Sequence, residues 1–469
     1  MAISAPGVGS GLDVKSIVSK LVALERRPIQ QLQTQKSSLQ TKLSQWGQIK
    51  SALSALQDAA NRLRDPGLWN TRTATVTGNG VSASTGAGAT SGSFNVSVSQ
   101  LATAQNVRTN ATLGVASLGW EGRLQITGGQ WDTGGNFTPG SASPIDINVS
   151  ATDTLTDIAR KINDAGAGVT ATVVNTGSGQ RLAIRSNDTG EANGFEIRTF
   201  DSNDDEIFDD TGLGNLRFAS GGTSGLTGSL GTNAELEIDG IPVTSASNTV
   251  ANAINGVTLT LSATTSTPAQ VSIGNDTKAY RDAIENFQRA YNSLNTLLRN
   301  ATRADSTGNG SNGPLIGDQA AIGIQRALRN ALGNNGPGGL PFNRLSDIGM
   351  EVMRDGSLNI TSSSKLNNAL NDPASLRTFF DDGTAGIATQ VRNITSRLLS
   401  FDGTVNTRSQ GLQDSIKRQD RQIERQEDRI TRVEAQLRAQ YSRLDTTLSG
   451  LTGLNAFLSQ QISQWNRPV

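Results

Sequence analysis

Polar residues in the segment DSNDDEIFDDTG have nearly the spacing of a calcium-binding loop. Positions one, three, five and nine of such a loop would be Asp201, Asn203, Asp205 and Asp209. Position six requires glycine for a sharp turn and is Glu206, while position twelve requires a bidentate glutamate and is Gly212. We therefore interpret this segment as an exposed acidic turn rather than a metal site.

Cysteine and histidine are both absent from the 469 residues. Their absence excludes disulfides, thiolate nucleophiles and cysteine-based zinc sites, and it removes the commonest general base. The glycine-rich runs TGAGATSGS and GGTSGLTGSLG lack the Lys-Ser/Thr pair of a phosphate-binding loop. The sequence therefore predicts a protein that is not an enzyme and that uses no cofactor or metal.

The charge balance argues against a nucleic-acid partner, because Lys plus Arg and Asp plus Glu both number 41. The arginine-rich run KRQDRQIERQEDRITRVEAQLR alternates with acidic residues, which is typical of a solvated helix face. The start of the chain lacks the pattern of a cleaved signal peptide, and no apolar run is long enough to span a membrane.

Both ends of the chain have helical periodicity. The first helical region runs from Leu12 to about Leu63, with Pro28 starting a second segment. Near the other end, a reversal at DGTVNTRSQGL is expected to precede a long helix. One slot of its seven-residue repeat is apolar throughout and contains Ile416, Ile423, Ile430, Leu437, Leu444, Leu451, Leu458 and Trp465.

The middle of the chain, from Asn70 to about Asn275, has short alternating strands separated by polar turns. One helix is expected at TDTLTDIARKINDAG, capped by Asp153 or Thr154. We also predict a short helix in VTSASNTVANAINGVTLTL, before its final strand. Further helices are expected at TKAYRDAIENFQRAYNSLNTLLRNATR, GDQAAIGIQRALRNAL, SSSKLNNAL, DPASLRTFF and GIATQVRNITSRLLS.

The predicted fold class is α+β and multidomain. Long terminal helices form an antiparallel coiled coil, a helical bundle adjoins it, and β-rich domains are inserted between the helical regions. The expected division assigns residues 1–42 and 420–469 to the coiled coil, 43–72 and 276–419 to the bundle, 73–115 and 230–275 to an inner β-rich domain, and 116–229 to an outer one.

The two terminal helices carry the predicted interaction sites. In the first helix the apolar stripe comprises Val14, Ile17, Val18, Leu21 and Leu24. In the last helix it comprises Leu437, Leu444, Leu451, Leu454, Leu458, Ile462 and Trp465. We expect these stripes to be buried against other molecules; the alternative is an internal coiled coil within one chain.

Four segments resemble the bacterial flagellar filament-cap family, also called the hook-associated protein 2 family. They are GVGSGLDVKSIVSKLVALERRPIQQL, AINGVTLTLSATTSTPAQVSI, LSDIGMEVMRDGSLNITSSSKLNNAL and RVEAQLRAQYSRLDTTLSGLTGLNAFLSQQI. A fifth, TLTDIARKINDAGAGVTATVVNTGSGQRLAIRS, is similar to a module of flagellins and other hook-associated proteins.

The resemblance implies a coiled-coil leg, a helical domain and a β-rich head. It also implies a homo-oligomeric, ring-like cap at the distal tip of the flagellum, which retains exported flagellin and helps it to fold. The implied partners are other copies of the chain, flagellin, hook–filament junction proteins and a cytosolic type III export chaperone. Secretion would follow the flagellar type III route, without a cleaved signal peptide.

Two other functions remain open. The head could be a tip adhesin that binds host glycan or mucin, and Trp120 and Trp131 lie in that region. Alternatively, the chain could be a hook–filament junction protein or a flagellin variant, because both share the plan of helical ends.

Overall fold

The computed structural model describes residues 13–305 and 312–465, with side chains through Ser463. Its α-helices are α1 (Val14–Glu25), α2 (Arg27–Arg64), α3 (Pro66–Trp69), α4 (Leu155–Asp164), α5 (Thr277–Thr302), α6 (Gln319–Gly333), α7 (Ser363–Leu370), α8 (Pro373–Phe380), α9 (Ile387–Leu399) and α10 (Thr404–Trp465). Short 3-10 helices occupy Glu191–Asn193, Gly212–Leu216 and Leu345–Ile348.

The strands fall between α3 and α5, apart from one late hairpin. In chain order they are β1 (Arg72–Thr77), β2 (Val81–Thr85), β3 (Gly92–Gln100), β4 (Asn106–Thr109), β5 (Gly122–Trp131), β6 (Phe137–Pro139), β7 (Ile145–Val149), β8 (Val169–Asn175), β9 (Gln180–Ser186), β10 (Gly194–Phe200), β11 (Leu226–Ser229), β12 (Ala234–Ile238), β13 (Ile241–Ser245), β14 (Thr249–Ile254), β15 (Val257–Leu261), β16 (Ala269–Asn275), β17 (Met350–Val352) and β18 (Leu358–Ile360). The predicted α+β class, helical at both ends and β-rich between, is confirmed.

The described chain separates into two compact units. The helical unit combines the residues up to Trp69 with those from Thr277 onward, and the β-rich unit comprises Asn70–Asp276. The first and last strands of the β-rich unit are antiparallel neighbours, with Arg72 opposite Asn275. The β-rich unit is therefore an insertion whose two ends lie side by side.

The helical bundle is organised around α5. Its apolar stripe, spaced at three and four residues, is buried throughout and comprises Tyr280, Ile284, Phe287, Tyr291, Leu294 and Leu298. The buried tyrosine hydroxyls are paired: Tyr280 donates to the Trp69 carbonyl at 3.1 Å and Tyr291 to the Gly356 carbonyl at 2.9 Å. These bonds avoid the cost of burying a polar group without a partner.

A second cluster of the helical unit joins α1 and the start of α2 to α10. Val14, Val18, Val22 and Ile29 are buried there together with Ile430. Asp13 caps α1 by accepting the Ser16 backbone N–H at 2.9 Å, and Pro28 lies in the first turn of α2, as predicted. The predicted reversal over DGTVNTRSQGL is wrong in extent, because α10 already begins at Thr404.

The inner part of the β-rich unit contains the five-stranded sheet β1-β16-β3-β12-β13 and the three-stranded sheet β14-β15-β2. The short helix predicted in VTSASNTVANAING is wrong, since this segment forms β13 and β14. Ile254 pairs with Val257 around Asn255-Gly256, and Gly256 has φ of +68°. An Asn-Gly pair between apolar runs favours this tight hairpin, a signal that the helical interpretation overlooked.

The outer part of the β-rich unit contains the sheets β10-β5-β6, with β7 beside β5, and β11-β4-β9-β8. Helix α4 covers its core with Leu155, Ile158 and Ile162. Strand β4, whose residues the expected division assigns to the inner domain, pairs with β9 of this part. The full division into four domains stays a prediction.

The start of α4 is held by a capping box between Thr154 and Asp157. The Asp157 carboxylate accepts the Thr154 hydroxyl at 2.6 Å and the Thr154 backbone N–H at 3.1 Å, and the Thr154 hydroxyl oxygen accepts the Asp157 N–H at 3.2 Å. The Thr154 hydroxyl, the Thr154 N–H and Arg160 lower the pKa of Asp157 to about 2.

Replacing Val18 or Ile430 should loosen α1 from α10 while the bundle stays folded. Truncating a buried isoleucine costs about 2–5 kcal/mol, and Ile430 is only 3% exposed. We expect Ile430→Ala to speed hydrogen exchange across α1. Leu24→Ala on the same helix is the control, because Leu24 is 52% exposed; equal effects of the two substitutions would contradict the packing described above.

The capping box should make stability depend on acid pH. The folded pKa of Asp157 is about 2, below an unfolded value of about 3.9, so its contribution is complete above pH ~4 and is lost as pH falls through 2. Asp157→Asn should therefore lower the melting temperature at pH 7, and the difference should shrink towards pH 2 in calorimetry. Asp164→Asn, at the exposed end of α4 and outside the capping box, is the control.

Candidate functional site

The residues in the apolar slot of α10 differ in solvent exposure along the helix. Ile430 is 3% exposed in the cluster with α1, whereas Leu444 is 46% exposed and Leu451 57%. From Leu451 through Ser463 every side chain is exposed. The same heptad position is thus core in one half of the helix and surface in the other.

Two residues of this slot and two apolar neighbours on the same side of α10 form a continuous apolar surface, which we call the terminal stripe. Its members are 49–58% exposed and comprise Leu451, Leu454, Leu458 and Ile462. Phe457, 56% exposed, lies at its flank and is absent from the residues predicted from the sequence. Its three-residue step from Leu454 was the signal that could have included it.

The structure divides the twelve predicted interaction residues into two groups. Within the single chain, Val14 and Val18 are buried in the cluster that also holds Ile430, while Ile17, Leu21 and Leu437 are half-buried. Leu24, Leu444 and the terminal stripe are exposed. Trp465 ends α10, and its side chain lies outside the described residues.

Burial within the single chain differs between the two groups. For Val14 and Val18, the internal coiled coil with α10 supplies the burial. For the terminal stripe, burial by another molecule remains the prediction. Several large apolar side chains exposed in one row are typical of an interaction surface, whereas isolated ones are common on any protein.

Polar contacts fix how α10 lies against α1 and α2. Lys36 pairs with Asp420 at 2.6 Å and Arg429 with Glu25 at 3.3 Å. Both pairs are substantially exposed and so add little stability. Their value lies in specifying the register of the antiparallel helices, which sets where the terminal stripe begins.

The acidic turn at residues 201–209 is stabilised by its own backbone. Asp201 accepts the backbone N–H groups of Asp205 at 2.9 Å and Asn203 at 2.8 Å, and these bonds lower its pKa. Asp204 is held by Arg123 at 2.5 Å. No cluster suited to a metal ion occurs within residues 13–305 and 312–465.

Among the helices that the structure describes, none combines the length and apolarity needed to cross a bilayer. The exposed half of α10 is apolar along one stripe only, with Gln460 and Ser463 on the opposite side. Such a surface suits a partner helix.

Three family models match the chain. Residues 10–105 match the flagellar hook-associated protein 2 N-terminus, residues 231–453 match the C-terminus of the same family, and residues 132–188 match the flagellin hook IN motif. The segments recognised in the sequence fall largely within these ranges.

Relatives and solved structures agree with these matches. Flagellar hook-associated protein 2 of Escherichia coli K12 is 31% identical over 98% of both chains, and the A-type protein of Pseudomonas aeruginosa is 30% identical over 97% of this chain and 96% of its own. The crystal structure of the flagellar cap protein FliD D1-D2-D3 domains from Escherichia coli covers 79% of this chain and 99% of its own. It is 29% identical, with a TM-score of 0.59. The chain therefore belongs to the flagellar hook-associated protein 2 family.

Proposed function

We propose that this chain is a structural subunit of the flagellar filament cap. Copies assemble into a ring-like cap at the distal tip, where they retain exported flagellin and promote its folding and insertion. The observation that supports this function best is the terminal stripe, an exposed apolar surface at the end of a 62-residue helix. Such a helix suits contact with the helices of neighbouring copies or of flagellin.

The energetics favour an anchor that can be released. Full burial of a large apolar side chain contributes about 1.5–3 kcal/mol. The four members of the terminal stripe are roughly half exposed, so covering them would contribute on the order of 3–6 kcal/mol per subunit. One such contact is weak, and several in a ring retain the assembly while single contacts exchange.

The terminal stripe has to be protected from aggregation before the cap assembles. An apolar stripe exposed in the cytosol favours aggregation, and a type III export chaperone that covers the terminal helices would prevent it. The chain then leaves through the flagellar export channel without a cleaved signal peptide. At the tip, its remaining partners are flagellin and, before filament growth, the hook–filament junction proteins.

The adhesin alternative has less support from the described residues. The side chain of Trp120 packs against the core of the outer part of the β-rich unit. Trp131 lies between Phe137 and Phe218, each with ring centroids 5.1 Å away, and its indole N–H donates to the Phe195 carbonyl at 2.9 Å. Both tryptophans thus serve packing, and glycan binding by the head stays a prediction.

Removing the stripe should abolish capping. In a bacterium whose own cap gene has been deleted, the chain lacking residues 451–469 should leave flagellin as monomer in the medium, because the subunit loses its anchor. Filament length by electron microscopy and flagellin in the culture supernatant measure the effect. Filaments of normal length would contradict the anchoring role.

A matched pair of charge variants separates anchoring from folding. Leu451→Asp with Leu458→Asp places charges in the terminal stripe, and Gln460→Asp with Ser463→Asp places the same charges on the opposite side of α10. Light scattering after size-exclusion chromatography should show that the first pair blocks oligomers while the second preserves them. Equal loss of oligomers in both pairs would show that charge alone, not the apolar stripe, is responsible.

A further inference from the structure

Strand β8 is the edge strand of the sheet β11-β4-β9-β8, with no further strand beside it and with α4 packed against it. Its sequence, VTATVVN, has no charged residue and no proline, and Val174 is 48% exposed. An uncharged edge strand presents unpaired main-chain groups that a strand from another molecule can join. Most protected edges carry a charge or proline; β8 carries neither.

The side chain of Asn163 occupies the middle of this edge. Its amide nitrogen donates to the Ala171 carbonyl at 2.9 Å, and its amide oxygen accepts the Ala171 backbone N–H at 2.8 Å. A carboxamide offers one acceptor and donors, the same pair that a residue of a neighbouring strand would provide. Asn163 therefore takes the place of one strand residue at Ala171.

The position of Asn163 is fixed by its neighbours. Ile162 is fully buried in the core beneath α4, and the capping box holds the other end of the helix. After α4, Gly166 and Gly168 adopt φ of +65° and +72° and turn the chain directly into β8. The side chain is thus held against the strand edge by a short connection and a packed helix.

Ala171 is one of the positions whose main-chain groups self-pairing of β8 would use. Main-chain groups point to the same side at every second residue, so those of Val169 and Val173 face the open edge together with those of Ala171. Two copies of β8 in full antiparallel overlap would be centred on Thr172, with Ala171 of each copy opposite Val173 of the other. Asn163 already uses both Ala171 groups that this pairing requires.

We propose that Asn163 blocks a latent self-association surface, namely the antiparallel addition of β8 from a second copy of this chain. The valine and threonine residues of β8 favour strands, and an uncharged strand meets its own copy without repulsion. The device goes beyond the proposed cap function and does not depend on it. In a ring of closely packed copies, it would keep the heads from joining edge to edge.

A single cysteine reports this pairing directly, because the chain has no other thiol. In the full-length chain, Thr172→Cys places an exposed thiol at the centre of the proposed overlap. Directly opposite residues of antiparallel strands have Cα atoms about 4.5–5.5 Å apart, within the range of a disulfide. Under mild oxidation, T172C alone should stay unlinked, and T172C with Asn163→Ala should form disulfide-linked dimers.

The control is T172C with Asp164→Ala, which alters the adjacent exposed position of α4 and leaves the Asn163 amide in place. We expect roughly tenfold more linked dimer for the Asn163→Ala chain than for this control, consistent with the loss of two hydrogen bonds. Equal linking in the two chains, or none in either, would overturn the proposal.

A second measurement guards against loss of the fold. In dilute, monomeric Asn163→Ala without the cysteine, hydrogen exchange at the Ala171 amide should quicken while that of β9 and β4 is unchanged. If Asn163→Ala unfolds the outer sheet, Asn163→Ser is used, because its short hydroxyl cannot bond both Ala171 groups yet keeps the helix polar. An Asn163→Ser chain with normal exchange at Ala171 and no linked dimer would equally refute the role of Asn163.

Discussion

The burial of one apolar slot of α10 decides where this helix is covered within the chain and where it exposes apolar surface. The helix runs without interruption from Thr404 to Trp465, and the slot turns by only about 20° from one heptad to the next. Near Ile430 the slot is covered in the cluster with α1 and the start of α2, and beyond Leu451 it is exposed. A single sequence pattern therefore produces both an internal coiled coil and an external surface. The boundary between them depends on where the partner helices lie.

The β-rich unit is inserted in the sequence between the two segments that form the helical unit. The β-rich unit leaves the helical unit after Trp69 and returns before Thr277, and its ends are paired through β1 and β16. Its own cores are complete: the inner part buries residues such as Val96 and Leu259, and the outer part buries Leu124 and Ile158. Within the described residues, the longest run of exposed large apolar side chains lies in α10, from Leu444 to Ile462, whereas those of the β-rich unit are scattered. This distribution suits a protein that assembles through its helical ends.

Polar side chains form hydrogen bonds with backbone groups at several helix ends, strand edges and loops of the fold. Thr154 and Asp157 satisfy the first turn of α4, and Asn163 satisfies Ala171 at the sheet edge. In the bundle, the buried Tyr280 and Tyr291 hydroxyls bond to distant carbonyls. A chain with few aromatic residues and no disulfide depends on such local closures, because its apolar cores are small.

Local pattern determined the elements of this protein: the helical ends, the break at Pro28, the helix after Thr154 and the heptads of α10 could all be predicted, because hydrophobic period and capping residues act within a few positions. The hairpin at Asn255-Gly256 was also encoded locally and was misinterpreted. Tertiary structure alone decided that Val14 and Val18 are covered within the chain while Leu451 and Leu458 are not. It also decided that β4 joins the outer sheet and that Asn163 reaches Ala171. These outcomes depend on which distant segments meet, and a periodic sequence specifies an apolar face without specifying what covers it.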